Sequence, residues 1–232
     1  GDIKCNQNAF LLAPVSRIDL QNSRSSRNFW VSVDGGGVWS ATGVSKDGRQ
    51  TARDRFKLEA GLLWHKVFRE NRGVGLRAEI LSFVPYGADP VELMVVRLVN
   101  ISSFTKTVTP VAAIPIYARS ADNIRDHRHV TSLLNRVSLH KLGVIVKPTL
   151  VFDESGHRPN QISYFVSGWD EKFSPPQHIY PTQEMFCGEG GDLEAPESVL
   201  KNILPGKRQI QGREAMGGLR FRSIRLRPGE SR

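Results

Sequence analysis

The stretch VGLRAEILSFVPYGADPVELMVVRLV, residues 74–99, decides the fold class. Its two ends, residues 74–84 and 91–99, are predicted to be long β-strands, and the segment PYGADP between them is a strong chain breaker. Residues 91–99 are apolar on both faces, which is typical of a strand covered on both sides. Two long strands separated by a turn indicate a sheet rather than a helical fold.

Further strand signals lie on the N-terminal side of this stretch. Residues 29–33 and 38–42 flank the tetrapeptide DGGG, in which glycine supplies the positive φ of a hairpin turn. Residues 56–65 alternate between two sets of side chains with a period of two, which predicts a strand. A helix over residues 57–69 is the weaker alternative.

On the C-terminal side, residues 105–117 read as a strand that carries Pro110 and Pro115. Proline cannot donate a hydrogen bond to a sheet, so this strand is predicted to lie at an edge or to contain a bulge. In the last predicted strand, residues 218–227, arginines alternate with apolar residues and the phase shifts by one residue near Ser223, as a bulge would cause.

The remaining segments complete an all-β pattern. Strands are predicted over residues 142–152 and 162–169, joined across the turn-rich DESGHRPNQ, and a short helix over residues 194–202. About ten strands without a βαβ rhythm predict an all-β fold, a large antiparallel β-sandwich. The prediction is one domain over residues 1–232, and its turn-like ending favours an N-terminal domain or fragment of a longer enzyme.

The net charge of +9 is concentrated near one end, because residues 201–232 hold nine Lys or Arg against two acids, or +7. No RNP-type, zinc-finger or helix-turn-helix pattern accompanies it, so a solvated or interface face is favoured over a nucleic-acid site.

The longest early apolar run, residues 9–15, is too short to span a bilayer, and no membrane association is expected. Cys5 and Cys187 are predicted to be free thiols and the location cytoplasmic.

A dense charged segment follows the proline-containing strand, in IPIYARSADNIRDHRHVTSLLNR, residues 114–136. Five of the ten residues 119–128 are charged. Guanidinium forks and carboxylates at this density indicate either a buried ion-pair network or a surface that meets a polar partner.

This segment and the acids at positions 153 and 154 contain residue types that could serve in catalysis or metal binding. His127 and His129 would share one face of a strand, but the sequence indicates no third ligand, so no metal site is predicted. Asp122, Asp126, Asp153 and Glu154 each have Arg or His close by, and such pairing lowers a carboxylate's pKa and opposes a general-acid role. The glycine-rich segments 35–37 and 188–191 lack the phosphate-loop spacing and are predicted to be turns. No catalytic residue is assigned.

Five segments of the chain resemble the N-terminal region of glycoside hydrolase family 94 phosphorylases, from about residue 29 to the end. They are FVPYGADPVELMVVRLVNIS, YARSADNIRDHRHVTSLLNR, PTLVFDESGHRPNQISYFVSGWD, MFCGEGGDLEAPESV and EAMGGLRFRSIRLRPGES. That family includes cellobiose and chitobiose phosphorylases, and the second segment is most similar to the branch of 1,2-β-oligoglucan phosphorylases.

The resemblance implies a galactose mutarotase-like β-supersandwich that packs, in the whole enzyme, against an (α/α)6 barrel. Such enzymes cleave β-glucosidic bonds with inorganic phosphate as co-substrate and invert the anomeric centre. Their catalytic and phosphate-binding residues belong to the barrel, so no catalytic residue and no cofactor is carried over to this chain. The resemblance also implies that the β domain supports the barrel, shapes the sugar-site entrance and contributes to homodimer contacts.

Two sets of residues are candidates for these contacts. The candidates for the barrel interface or for sugar binding are Arg119, Asp122, Arg125, Asp126, His127, Arg128 and His129. Sugar recognition combines such polar groups with aromatic rings, and the candidate platforms are Trp39, Trp64, Tyr117 and Trp169. The alternative for each of these rings is that it packs in the core and contacts no ligand.

Two other functions stay open at this point. The chain could be a stand-alone carbohydrate-binding module for a β-glucan or oligosaccharide. By fold analogy alone it could be an aldose-epimerase-like enzyme, for which His127 with Asp126 or Asp153 is the set that the sequence offers.

Overall fold

A computed structural model describes residues 9–12, 27–47, 54–120, 128–153 and 156–232. The first strands in chain order are β1 Ala9–Phe10, β2 Asn28–Val33, β3 Gly37–Ser40, β4 Arg55–Gly61, β5 Trp64–Asn71, β6 Leu76–Phe83, β7 Leu93–Asn100, β8 Lys106–Ile116 and β9 Arg119–Ser120. The later elements are helix α1 Arg128–Ser132, β10 Asn135–His140, β11 Gly143–Pro148, β12 Leu150–Asp153, β13 Gly156–Pro159, β14 Tyr164–Ser167, β15 His178–Thr182, α2 Gln183–Cys187, α3 Glu197–Leu200, β16 Ala215–Arg220 and β17 Ile224–Leu226.

The chain divides into two compact units. Unit 1 holds the described residues of Gly1–Arg27 and of Ala112–Phe221, and unit 2 holds those of Asn28–Val111 and Arg222–Arg232. Antiparallel strand pairs occur in both units, among them β1–β9, β10–β11 and β15–β16 in unit 1 and β2–β3 and β5–β6 in unit 2, which agrees with the predicted all-β class.

Unit 2 contains a four-stranded antiparallel sheet in the order β4–β5–β6–β7. The sequence LRAEILSF makes β6 a strand with one buried face, because Leu76, Ala78 and Ile80 are buried while Arg77 and Glu79 between them are half-exposed. Period-two alternation in the sequence thus becomes a core face and an outer face.

The predicted strand over residues 56–65 is wrong in its extent, and the helix over residues 57–69 is wrong. The chain reverses at Leu62 and Leu63, so that β4 and β5 form a hairpin in which Gly61 lies opposite Trp64. Leu63 has a φ of 62°, a conformation that glycine or asparagine usually supplies, and the sequence therefore carries no turn signal there.

The prediction that residues 91–99 are covered on both sides is wrong for the first half of β7. Val95 is 54% exposed, and burial begins only at Leu98. The reason is the face on which these residues lie, because Val95 and Arg97 are opposite Leu81 and Glu79 on the less buried face of the sheet. In the sheet order β7 is also the last strand. The end of β7 has another neighbour, because Leu98 and Arg232 exchange two backbone hydrogen bonds of 2.7 and 3.0 Å.

The second sheet of unit 2 contains β2, β3, β17 and the first part of β8. The β2–β3 hairpin at DGGG is confirmed, with Gly35 and Gly37 at φ values of 66° and 82°. Trp30, Val31 and Trp39 from this hairpin are almost completely buried and form part of the core of this unit.

Residues 105–117 are predicted to form an edge strand or to contain a bulge. The edge alternative is wrong, because β8 has neighbours on both sides along the sheet order, and the bulge stays a prediction. β17 pairs only with Lys106, Thr107 and Val108, so Pro110 and Pro115 lie outside that ladder. The predicted strand over residues 218–227 is two strands. The phase shift in its sequence marks the point at which the chain leaves the β15–β16 pair and joins β8.

Unit 1 contains the sheet order β15–β16–β8, a three-stranded sheet β10–β11–β14, and the hairpin β12–β13. The predicted strand over residues 142–152 is two strands, since β11 pairs with β14 and β12 pairs with β13, and the predicted turn DESGHRPNQ contains β13. Tyr180 and Phe186 meet edge to face in its core, with ring centroids 5.6 Å apart. The predicted helix over residues 194–202 is shorter, Glu197–Leu200, and Pro196 is its N-cap. Within the part of the chain that the structure describes, no helix has the length and apolar character needed to cross a membrane.

Candidate functional site

The N-terminal flank of the charged segment is fixed by hydrogen bonds around Tyr117, in unit 1. The Tyr117 hydroxyl donates to the carbonyl of Ser120 at 3.0 Å, and Arg119 Nε donates to the carbonyl of Tyr117 at 3.2 Å. The Arg119 guanidinium lies 4.8 Å from the centroid of the Tyr117 ring. A planar cation over a ring face that is itself held in place has few accessible rotamers.

Arg119 also reaches across to the C-terminal flank of the same segment. Its Nη1 donates to the hydroxyl oxygen of Thr131 in α1. The two ends of residues 121–127 are therefore tied together by one guanidinium. The hydroxyl of Thr131 is a hydrogen-bond partner that the sequence did not indicate, since threonine carries no charge signal.

The other predicted members of the charged segment are placed only in part. Asp122, Arg125, Asp126 and His127 lie outside the described residues, and Arg128 and His129 begin α1. Their shared role stays a prediction, as does the set of His127 with Asp126 or Asp153.

The four candidate aromatic platforms divide into two buried and two exposed rings. Trp39 is completely buried and Tyr117 is 7% exposed, so each packs in a core. Trp64 is 40% exposed and Trp169 is 48% exposed. The exposed pair therefore retains ring surface that a ligand could cover, whereas the buried pair does not.

Trp169 stands on a rigid turn that sequence reasoning missed. The Asp170 carboxylate accepts hydrogen bonds from the backbone N–H groups of Lys172 and Ser174, both at 2.9 Å. Although burial alone would raise it, these backbone donors hold the pKa of Asp170 below its ordinary value.

The same turn presents a second ring. Phe173 is 79% exposed and lies nearly parallel to Trp169, with centroids 6.5 Å apart and an angle of 21° between the rings. Phe173 has a φ of 58°, which costs free energy for a bulky residue and is held by the Asp170 hydrogen bonds. Two exposed aromatic rings on a pinned turn are an arrangement suited to stacking on a flat ligand.

A second polar cluster, the Asp54 network in unit 2, is enclosed in the protein. The Asp54 carboxylate, whose side chain has no exposed surface, accepts from Arg69 Nη1 at 3.0 Å, Asn71 Nδ2 at 2.7 Å and Trp39 Nε1 at 3.2 Å. Arg69 also donates to the carbonyl of Thr42. Every strong donor here points inward, so the cluster stabilises unit 2 and leaves no acceptor for a ligand.

Cys187 and the glycine-rich turns have no chemistry of their own. Cys187 is a free, buried thiol, as predicted, and burial together with the nearby Asp192 and Glu214 raises its pKa to about 12. Such a thiol is inert as a nucleophile at neutral pH. Gly188 and Gly191 form the predicted turn, closed by a backbone hydrogen bond of 3.2 Å. Among the described residues no group of three or more His, Cys, Asp or Glu is placed to hold a metal ion.

Comparison with known proteins gives one match. The family model described as the glycosyl hydrolase 94 supersandwich domain matches residues 6–232. The supersandwich confirms the predicted antiparallel β-sandwich. No curated protein sequence matches the chain.

Proposed function

The chain belongs to the glycosyl hydrolase 94 supersandwich domain family, and from that premise we propose that it is a non-catalytic accessory domain of an inverting β-glucoside phosphorylase. In this role it supports a catalytic helical barrel and the entrance to the sugar site. The supersandwich is a non-catalytic domain in the enzymes of the family. The observation that carries the proposal is the extent of the match to this non-catalytic domain, residues 6–232.

The contact with the barrel or the sugar is assigned to residues 119–129. Arg119 supports this assignment, because its bonds to Tyr117 and Thr131 anchor both flanks of the segment. An anchored base lets charged side chains meet a partner with a smaller loss of conformational entropy. Guanidinium and carboxylate groups then form charge-assisted hydrogen bonds with sugar hydroxyls or with polar groups of the barrel.

A phosphorolysis assay tests the absence of catalysis. The purified chain is incubated with β-1,2- or β-1,4-oligoglucans and inorganic phosphate, and glucose 1-phosphate is measured, with a complete family 94 phosphorylase as the positive control. We expect no turnover by the chain. Sustained formation of glucose 1-phosphate by the pure chain would contradict the proposal.

A co-purification experiment tests the role of the charged segment. The chain is co-expressed with a separately encoded (α/α)6 barrel of a family 94 enzyme, and the recovered complex is quantified. We expect Arg119→Ala to reduce recovery because both flanks lose their tie. Arg72→Ala is the matched control, since the side chain of Arg72 is 72% exposed. Equal recovery with both variants would remove residues 119–129 from the interface.

A second candidate function, a carbohydrate-binding module, is favoured by the Trp169–Phe173 pair. Stacking of a sugar ring on the face of an exposed indole is the usual apolar component of such binding. Calorimetry with oligoglucans separates the two functions. Saturable heat that Trp169→Ala abolishes and Trp64→Ala preserves would favour the module, whereas a barrel-supporting domain alone should give little heat.

A further inference from the structure

One face of the β8–β17 pair in unit 2 carries hydroxyl and guanidinium groups. Arg225 lies opposite Thr107 in the register, while Leu226 and Val108, which point the other way, are completely buried. Two residue pairs further along, the hydroxyls of Thr109 and Ser223 are 2.7 Å apart. Because side chains alternate along a strand, Thr107 and Thr109 of β8 share the outer face with Arg225 of β17.

The C-terminal turn closes this face into a pocket. The pocket has a volume of about 480 Å³ and is lined by Thr105, Arg225, Arg227, Glu230 and Arg232. Three guanidinium groups and one carboxylate give these lining side chains a charge of +3 − 1 = +2. A concave volume of this size is within the range of small-ligand sites, and its lining offers three guanidinium groups as donors and the Thr105 hydroxyl as donor or acceptor, beside the acceptor Glu230.

Internal pairs occupy only part of the donors in the pocket. Arg232 Nη2 lies 2.6 Å from Glu230 Oε1. The backbone N–H of Arg227, and next the charges of Arg232 and Arg227, lower the pKa of Glu230, so this carboxylate is ionised at neutral pH. Glu230 therefore serves both Arg227 and Arg232, while Arg225 makes no ion pair among the described residues and keeps its guanidinium fork for a ligand.

The pocket stands on fixed backbone. Arg227 N donates to Glu230 Oε2 at 2.8 Å, and Glu230 N donates to the carbonyl of Arg227 at 2.9 Å. Gly229 N donates to the carbonyl of Asn100 at 2.9 Å, which attaches the turn to β7. A turn with these bonds keeps its arginines in place before a ligand arrives, and less entropy is lost on binding.

We propose that this pocket binds a doubly charged tetrahedral oxyanion, either inorganic phosphate or the phosphate group of a small phosphomonoester. The charge of +2 on the lining matches that of a phosphate dianion, and arginine forks form paired hydrogen bonds with phosphate oxygens. Thr105 adds a hydroxyl donor at the rim. The site lies outside residues 119–129, and its failure would leave the proposed accessory role unchanged.

The experiment measures binding of inorganic phosphate and, separately, of a hexose phosphate to the full chain by calorimetry at low ionic strength. We expect saturable binding of at least one of them, and the arm that binds more tightly identifies the source of the phosphate group. The double variant R225Q/R227Q should weaken binding by a factor of at least about ten, because charge-assisted hydrogen bonds are lost.

Two further variants keep the test independent of folding. R222Q removes the same kind of exposed charge from a residue that does not line the pocket, and its affinity should stay within about twofold of the parent chain. E230Q keeps an oxygen that can accept from Arg227 N but releases Arg232, and it should bind phosphate more tightly by a factor of about three or more.

Three results would overturn the proposal. They are the absence of saturable phosphate binding by the parent chain, an equal loss of affinity in R222Q and R225Q/R227Q, and binding of an acidic peptide in place of both phosphate probes.

Discussion

The Asp54 network and the arginine pocket each combine arginine with a single carboxylate, and they differ in how many donors that carboxylate has to serve. In the Asp54 network, three donors converge on one enclosed carboxylate. In the pocket, three guanidinium groups surround one carboxylate, which pairs with Arg232 and lies near the charge of Arg227, and Arg225 makes no ion pair among the described residues. The ratio of donors to acceptors thus separates a cluster that stabilises the fold from one that can receive a ligand. A high density of arginine and acid in the sequence does not.

The largest expected effect on the free energy of unfolding is in the Asp54 network. Asp54→Ala should lower the free energy of unfolding by roughly 3–5 kcal/mol, because it leaves Arg69 charged and almost buried without its partner. Urea unfolding measures the change. Asp89→Ala is the control, since Asp89 is exposed, and should stay within about 0.5 kcal/mol. Similar losses in the two variants would mean that the network contributes little to stability.

The next effect concerns the thiol of Cys187, which the fold keeps uncharged. Burial raises its pKa from 9.0 to about 12, so the stabilisation of the neutral thiol is complete below pH 9 and is lost as the pH rises from 9 towards 12. The parent chain should therefore lose more stability than Cys187→Ala over this range. Unfolding curves at several alkaline pH values provide the measurement, and parallel profiles for the two proteins would contradict the expected burial.

The turn of Asp170 is an intermediate case, because its carboxylate is satisfied by backbone donors near the surface. Asp170→Ala should cost about 1 kcal/mol, comparable to the loss of a helix N-cap, and should change the fluorescence of Trp169. The lowered pKa means that this contribution is present above the ordinary value of 3.8 and is lost as the pH falls below it.

Asp170→Asn supplies the control for that prediction. Its side-chain oxygen still accepts from the two backbone N–H groups, but it does not titrate. An acid-dependent fluorescence change that persists in Asp170→Asn would assign the change to another group.

The smallest effect on stability is expected in the arginine pocket. R225Q/R227Q should unfold within about 0.5 kcal/mol of the parent chain, because both arginines are exposed and the charge interaction of Arg227 with Glu230 lies near the surface, where such interactions contribute little. Thermal or urea unfolding checks this directly. A large loss of stability would show that these arginines belong with the Asp54 network, as structural groups, and would break the distinction between the two regions.

The sequence was a good guide wherever one strand and its turn carry their own signals. The DGGG hairpin, the strand LRAEILSF and the β class follow from local alternation and glycine. It failed at Leu63, where a leucine adopts a conformation for which the residue type gives no hint. It could not place β8 in the sheet, since its two prolines left an edge position and a bulge both open, because sheet order depends on contacts far apart in the chain.

The two polar sites show the same limit. Asp54 meets residues 15 to 17 positions away, and no local pattern connects them. The alternating arginines in LRFRSIRLR were correctly read as an outward face, but the pocket exists only because β17 pairs with β8 and the following turn folds back. The charge density of residues 119–128 predicted contacts between charged groups. The contact that the described structure adds is with an uncharged residue, because Arg119 donates a hydrogen bond to the hydroxyl of Thr131.

The backbone bonds between Leu98 and Arg232 have a further consequence, for the solution behaviour of the protein. β7 is the last strand of its sheet, and its final residues would otherwise present unpaired N–H and C=O groups. Residues 230 to 232 occupy those groups, with Asn100 N bonded to the carbonyl of Glu230 and Val99 bridged to Ser231. An open strand edge is a template for a second chain and hence for aggregation. Residues 230–232 thus cover the backbone edge at the end of β7. We expect that removing them leaves these N–H and C=O groups open to pairing with a second copy of the chain.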